Sequence, residues 1–169
     1  MIMLKDEAQK LIDRGYIWYE KKVTSNDVGE VCRLPFPNAN SKDKPPKELN
    51  WLLHPFIRKM NDELSEHFNA KFMKAEIWDD VDEGSKEWHN DNKYKKSMAN
   101  LSVLIYCDER KEGNSIQIRG PLGEMKILPD RYDMVIVNQN KKFEHKASIS
   151  EFPRRVIGLQ YFIEELEWI

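Results

Sequence analysis

The chain has 169 residues, 40% hydrophobic and 33% charged, with a formal net charge of −2. That is the size of a single domain able to bury a proper core, and the balance of an ordinary soluble globular protein. The charge gives no strong pull toward nucleic acid, and no stretch approaches the ~20 apolar residues needed to cross a bilayer. Met1 to Arg14 carries Lys5, Asp6 and Glu7, so no export signal is expected there. Cys32 and Cys107 form no CxxC pair. The expectation is two reduced thiols in a cytoplasmic protein, with no zinc pattern.

In chain order, Leu4, Ala8, Leu11 and Ile12 recur at helical spacing and predict a short amphipathic helix over 4–14. Tyr16 to Val23 is aromatic and β-branched enough for a strand. Residues 24–46 read as irregular, with Pro35, Pro37, Asn38, Asn40 and Ser41 among them. Pro45-Pro46 suits the start of a helix. Leu49, Leu52, Leu53, Phe56, Ile57, Met60 and Leu64 mark its buried face, which runs to about His67.

From residue 71 the period changes to two. Met73, Ala75 and Ile77 alternate with Phe72, Lys74 and Glu76. Over 98–107, Leu101, Val103, Ile105 and Cys107 alternate with Asn100, Ser102, Leu104 and Tyr106. Further short strands are predicted at 115–119, 124–128, 133–138 and 143–148, and a longer one at 154–164. Glu112-Gly113-Asn114, Gly120-Pro121-Leu122-Gly123 and Pro129-Asp130 separate them as turn signals. The expected fold is mainly β, a sandwich or barrel core over about 71–165. Flanking N-terminal helices over about 1–70 pack on one side, all within one domain, 1–169.

Three residues stand out on this scaffold: His89, Asp91 and, 54 residues further on (145 − 91 = 54), His145. Positions i and i+2 of an extended segment point to one face, so His89 and Asp91 can reach the same ion. His145 shares a strand face with Phe143 and Ala147, opposite Glu144 and Lys146, and that face is the apolar one. Two imidazoles and a carboxylate are the protein ligands of the facial triad of non-haem Fe(II), which leaves open positions for a co-substrate and O2. Arg155 follows ten residues after His145, at the head of the face carrying Ile157, Leu159, Tyr161 and Ile163. A guanidinium there calls for an anion, and its planar fork suits a carboxylate. Arg154 is the competing candidate; strand parity selects Arg155. Tyr106, near the end of its strand, can share the same anion.

Taken together these residues resemble the Fe(II)- and 2-oxoglutarate-dependent dioxygenases, and within them the prolyl 4-hydroxylase-like branch. The match covers roughly residues 72 to 163. It runs through His89-Asn90-Asp91-Asn92, the Leu101–Asp108 segment, Glu112-Gly113-Asn114, Asp133–Asn138, Phe143-Glu144-His145-Lys146 and Arg155–Phe162. The resemblance implies a double-stranded β-helix, the cupin-like jelly roll. It implies His89, Asp91 and His145 as iron ligands. It implies Arg155 as partner of the distal carboxylate of 2-oxoglutarate, with Tyr106 hydrogen-bonded to it, Ser102 facing the co-substrate and Trp78 lining the pocket. It implies Fe(II), with 2-oxoglutarate and O2, as the cofactor set. The reaction it implies is hydroxylation of an unactivated C–H bond, with release of succinate and CO2, on a protein or peptide residue such as proline.

The pattern departs from the branch in two places. The usual Gly-Gly turn is Gly113-Asn114, and the nearest basic residues after the His-x-Asp are Lys95 and Lys96, displaced by a few positions. The nucleic-acid demethylase branch places a second arginine six residues beyond the first; here Gln160 follows Arg154 and Tyr161 follows Arg155, so nucleic acid is disfavoured as a substrate. Two other readings stand beside this one: the same chemistry on a small molecule or nucleoside, and a cupin-like binding module without a redox metal.

Overall fold

A computed structural model of the chain describes residues 17–20, 23–33, 47–80, 87–90, 99–140, 142–148 and 154–166. The helix expected over 4–14 lies outside them. Strand β1 is Ile17–Glu20, followed by helices α1 (Ser25–Arg33) and α2 (Lys47–Ser65). Then come β2 (Ala70–Asp80), β3 (Leu101–Tyr106), β4 (Ile116–Gly120), β5 (Gly123–Ile127), β6 (Met134–Asn138), β7 (Glu144–Ala147) and β8 (Arg154–Ile163). The strands from β3 onward fall within a few residues of the segments that periodicity predicts. Among the described residues no helix is long and apolar enough to cross a membrane.

Helix α1 corrects the expectation of an irregular 24–46. The Asp27 carboxylate accepts the Thr24 backbone N–H at 3.1 Å and the Thr24 hydroxyl at 2.8 Å. This is half of a Thr-x-x-Asp capping box. Val28, Val31 and Cys32 then form a buried stripe at helical spacing. The prolines and asparagines that suggested a loop begin only at Pro35, beyond the helix. Helix α2 buries Leu53, Phe56, Met60 and Leu64 as expected. Lys59 Nζ ties it to α1 by donating to Asp27 Oδ1 at 2.5 Å.

The strands form two antiparallel sheets, one in the order β1-β6-β3-β8-β2 and a smaller one in the order β5-β4-β7. From β3 on, the chain passes repeatedly between them: β3 in the large sheet, β4 and β5 in the small one, β6 back in the large, β7 in the small, β8 in the large.

The central strands of the large sheet, β6, β3 and β8, are buried on both faces. Leu101, Val103, Ile105, Cys107, Met134, Ile136, Ile157, Leu159, Tyr161 and Ile163 pack with the helices in one core. Tyr106, Val135, Val137 and Val156 point the other way and meet Ile116, Ile118 and Ile127 of the small sheet in a second core. Two buried faces explain why β6 reads Met-Val-Ile-Val without alternation. A register shift between Phe72 and Lys74 bulges β2, so Phe72, Ala75 and Ile77 share the helix-facing core and Met73 is exposed. The simple alternation expected for Met73 fails because one extra residue in a strand reverses its facing.

Candidate metal and co-substrate site

Two of the three expected metal ligands are neighbours across an antiparallel bridge. His89 N donates to His145 O at 3.1 Å and His145 N donates to His89 O at 2.8 Å, so the pair sits directly opposite. Their rings lie with centroids 4.3 Å apart, tilted by 52°. On β7, His145 stands in register opposite Ile118, whose side chain is fully buried between the sheets. Both histidines therefore sit on the face that looks into the inter-sheet space.

One imidazole is already oriented. His89 Nδ1 lies 3.0 Å from the Glu87 carbonyl oxygen. A carbonyl can only accept, so Nδ1 carries the proton and Nε2 is the basic nitrogen, the arrangement of metal-ligating histidines. The third expected ligand, Asp91, lies outside the described residues, and among those described no group of three His, Cys, Asp or Glu side chains gathers. Two imidazoles this close fit a nitrogen-binding divalent ion such as iron.

The residues beside His89 hold it in place from both sides. Trp88 is on the outer face of the small sheet, where the Arg119 guanidinium and the Lys146 ammonium each lie 4.5 Å from its ring centroid. Arg119 Nε also donates to Glu144 Oε2 at 2.8 Å, its cross-strand partner. Asn90 is buried, and its Nδ2 donates to the carbonyls of Gln139 at 3.1 Å, Asn140 at 2.9 Å and Phe143 at 2.8 Å. Phe143 in turn covers Gly120. A Cβ at that glycine would come within 2.4 Å of the phenylalanine ring. The bare Cα on β4 thus leaves room for the Phe143 ring just ahead of β7.

The expected anion partners divide between the two faces. Tyr106 is buried in the inter-sheet core, in register with Val156. Burial pushes its hydroxyl up to about 12, against a smaller downward pull from the Arg154 guanidinium. Tyr106 is therefore a phenol, a hydrogen-bond donor, at any ordinary pH. Ser102 is buried on the same face, and its hydroxyl oxygen accepts from Gln139 Nε2 at 3.1 Å. Arg154, two residues before Val156, shares that face by strand parity and is 7% exposed; its Nη1 reaches the Ser148 carbonyl at 3.4 Å.

Arg155, expected from parity to meet the anion, is on the opposite side, the face of Ile157 and Leu159. Its Nε donates to Asp108 Oδ1 at 3.0 Å, its Nη2 to the same oxygen at 2.6 Å, and its backbone N–H to Oδ2 at 2.7 Å. A carboxylate of the chain itself occupies the fork. Parity placed Arg155 correctly with Ile157 and Leu159, but that face packs on the helices. The Tyr106–Val156 register, invisible in composition, separates the two arginines. Trp78 stands in register opposite Val156, and its side chain is outside the described part.

No protein-family model matches the sequence, and no curated protein matches it either. Solved structures do match its fold. A prolyl hydroxylase from Trichoplax adhaerens, in complex with a hypoxia inducible factor oxygen degradation domain peptide fragment, superposes with a TM-score of 0.68 at 14% identity, covering 97% of this chain and 91% of that one. A 2OG-Fe(II) oxygenase family oxidoreductase from Burkholderia pseudomallei gives a TM-score of 0.67 at 13% identity over 93% of this chain and 88% of that one. A Pseudomonas putida prolyl-4-hydroxylase gives 0.67 at 11% identity over 95% and 98%. The mainly β architecture, with two helices among the described residues and two antiparallel sheets, is thus the fold of the 2OG-Fe(II) oxygenases and prolyl hydroxylases.

Proposed function

We propose that the chain is an Fe(II)- and 2-oxoglutarate-dependent dioxygenase built on a double-stranded β-helix that hydroxylates a C–H bond. The observation that carries this reading is the placement of the His89–His145 pair on the inner face of the small sheet, turned toward the face of the large sheet that bears Tyr106 and Arg154. Metal donors and an anion-binding pair then share one space between the sheets. The passage of successive strands between the two sheets supports the jelly roll. The likeness to oxygenase structures supports the chemistry by analogy of fold.

His89 and His145 would hold the iron through imidazole nitrogens, with Asp91 as the expected third ligand. Bound iron and 2-oxoglutarate together supply the activation of O2, while the protein supplies position and a dry pocket. Arg154 holds the distal carboxylate of 2-oxoglutarate, in place of the Arg155 expected from parity. Tyr106 keeps its proton and donates to the same carboxylate. Val135, Val137, Val156, Ile116 and Ile118 exclude water from the space around them. Ser102, held by Gln139, adds a polar group on that wall.

For the substrate we infer a protein or peptide residue such as proline. This rests on the peptide-bound prolyl hydroxylase among the fold's relatives. The test is succinate formation from 2-oxoglutarate with Fe(II) and O2, comparing proline-containing peptide pools with small-molecule pools. Peptide-dependent succinate, absent in His145→Ala, is expected. Turnover stimulated only by small molecules would replace the substrate class and leave the chemistry. No His145-dependent turnover with any pool would end the oxygenase reading.

A further inference from the structure

We propose that Asn90, the residue between the expected ligands His89 and Asp91, is a positioning residue that sets the geometry of the histidine pair. The inference rests on His89 and His145 being metal ligands. Among the described residues, the His89 segment meets β7 at His89, through a bridge of two backbone hydrogen bonds. The next residue adds a second tie between the same two stretches of chain. The Asn90 amide, 3% exposed, gives its two N–H groups to three main-chain carbonyls, those of Gln139, Asn140 and Phe143. With two protons for three acceptors, one is shared.

Those carbonyls belong to the turn that delivers His145. The Asn140 carbonyl also accepts the Phe143 backbone N–H at 2.9 Å, and Asn138 Oδ1 accepts the Asn140 N–H at 2.8 Å. Phe143 is two residues before His145 and is seated on Gly120. One buried amide therefore ties the backbone carrying one imidazole to the backbone carrying the other. Donation is the essential property. An aspartate of the same shape has no N–H to give, and as a carboxylate it would turn oxygen lone pairs toward three carbonyl oxygens.

The experiment is a titration of the full chain with Co(II) under argon, read by the visible d–d absorption, for wild type, Asn90→Asp, Asn90→Ala, His89→Ala and His145→Ala. Circular dichroism on each variant reports whether it is folded. Wild type is expected to bind one equivalent in a histidine-dependent way. Asn90→Asp is expected to weaken Co(II) binding by about 10- to 100-fold, the usual effect of losing a group that orients a metal ligand, and to change the band shape. Binding by both Asn90 variants within twofold of wild type, with an unchanged spectrum, would overturn the role of Asn90 and leave the histidine site standing. Binding that is absent in wild type, or undiminished in the histidine variants, would overturn both. If the Asn90 variants do not fold, the wild type still decides by NMR. The Asn90 side-chain amide protons should exchange slowly with solvent and shift when Zn(II) is added; fast exchange, or no shift, contradicts the proposal.

Discussion

His89 and His145 face each other across an antiparallel bridge to the small sheet, their main chains exchanging hydrogen bonds of 3.1 and 2.8 Å. Fifty-six residues separate them in sequence (145 − 89 = 56). The crossing of the chain between two sheets closes that distance to 4.3 Å between ring centroids. The Glu87 carbonyl fixes the tautomer of His89 and so orients one of the two imidazoles as a donor.

The two adjacent arginines should separate by function. Arg154→Ala should raise the KM for 2-oxoglutarate by roughly 30-fold or more, the equivalent of ~2 kcal/mol for truncating one partner of a buried charged pair. Arg155→Ala should leave that KM unchanged and lower the melting temperature instead, because it releases Asp108 from a partly buried ion pair worth about 1 kcal/mol. Steady-state kinetics with calorimetry distinguishes them, and the reversed pattern would restore Arg155 as the anion partner.

Gly120→Ala tests how β7 is seated. The added Cβ meets the Phe143 ring at 2.4 Å. Overpacking of this kind costs about 1–3 kcal/mol, read by urea denaturation. Phe143→Leu in the same chain should recover part of it, a coupling that a double-mutant cycle measures. Strict additivity of the two substitutions would mean that the contact carries no strain.

Acid should loosen the helical layer through Asp27. Burial would raise its pKa, but hydrogen bonds from Lys59 and Thr24 outweigh that and leave it below the ordinary value of 3.8. A carboxyl whose folded pKa is depressed contributes stability above its unfolded pKa and loses it as pH falls through the folded value. The stability difference between wild type and Asp27→Asn should therefore be largest near neutrality and shrink below about pH 4. A difference that is flat with pH would mean that the Lys59 contact does not hold the charge.

Much of the fold was legible because β3 and β6–β8 alternate or run apolar without interruption, and because Gly113 and Gly123 take the positive φ values that turns demand. Helix α1 is masked in composition by Pro35 and Pro37 close behind it, although Thr24 and Asp27 spell its start. The bulge at Phe72–Lys74 could not be read, because a register shift leaves no mark in a strand of mixed residues. At the site, His89, His145, Tyr106 and Ser102 come to one inter-sheet space. Arg155 does not, because parity tells which residues share a face and not which of two buried faces holds the ligand. Asn90 and Trp88 gave no signal, since their roles depend on a turn and a strand more than 25 residues away.

The most direct measurement is anaerobic titration of the chain with Fe(II) and 2-oxoglutarate, watching for the visible metal-to-ligand charge-transfer band of the chelated co-substrate. A band is predicted for wild type and for Arg155→Ala, with none for His89→Ala or His145→Ala. No band in wild type, or an undiminished one without either histidine, would contradict the account.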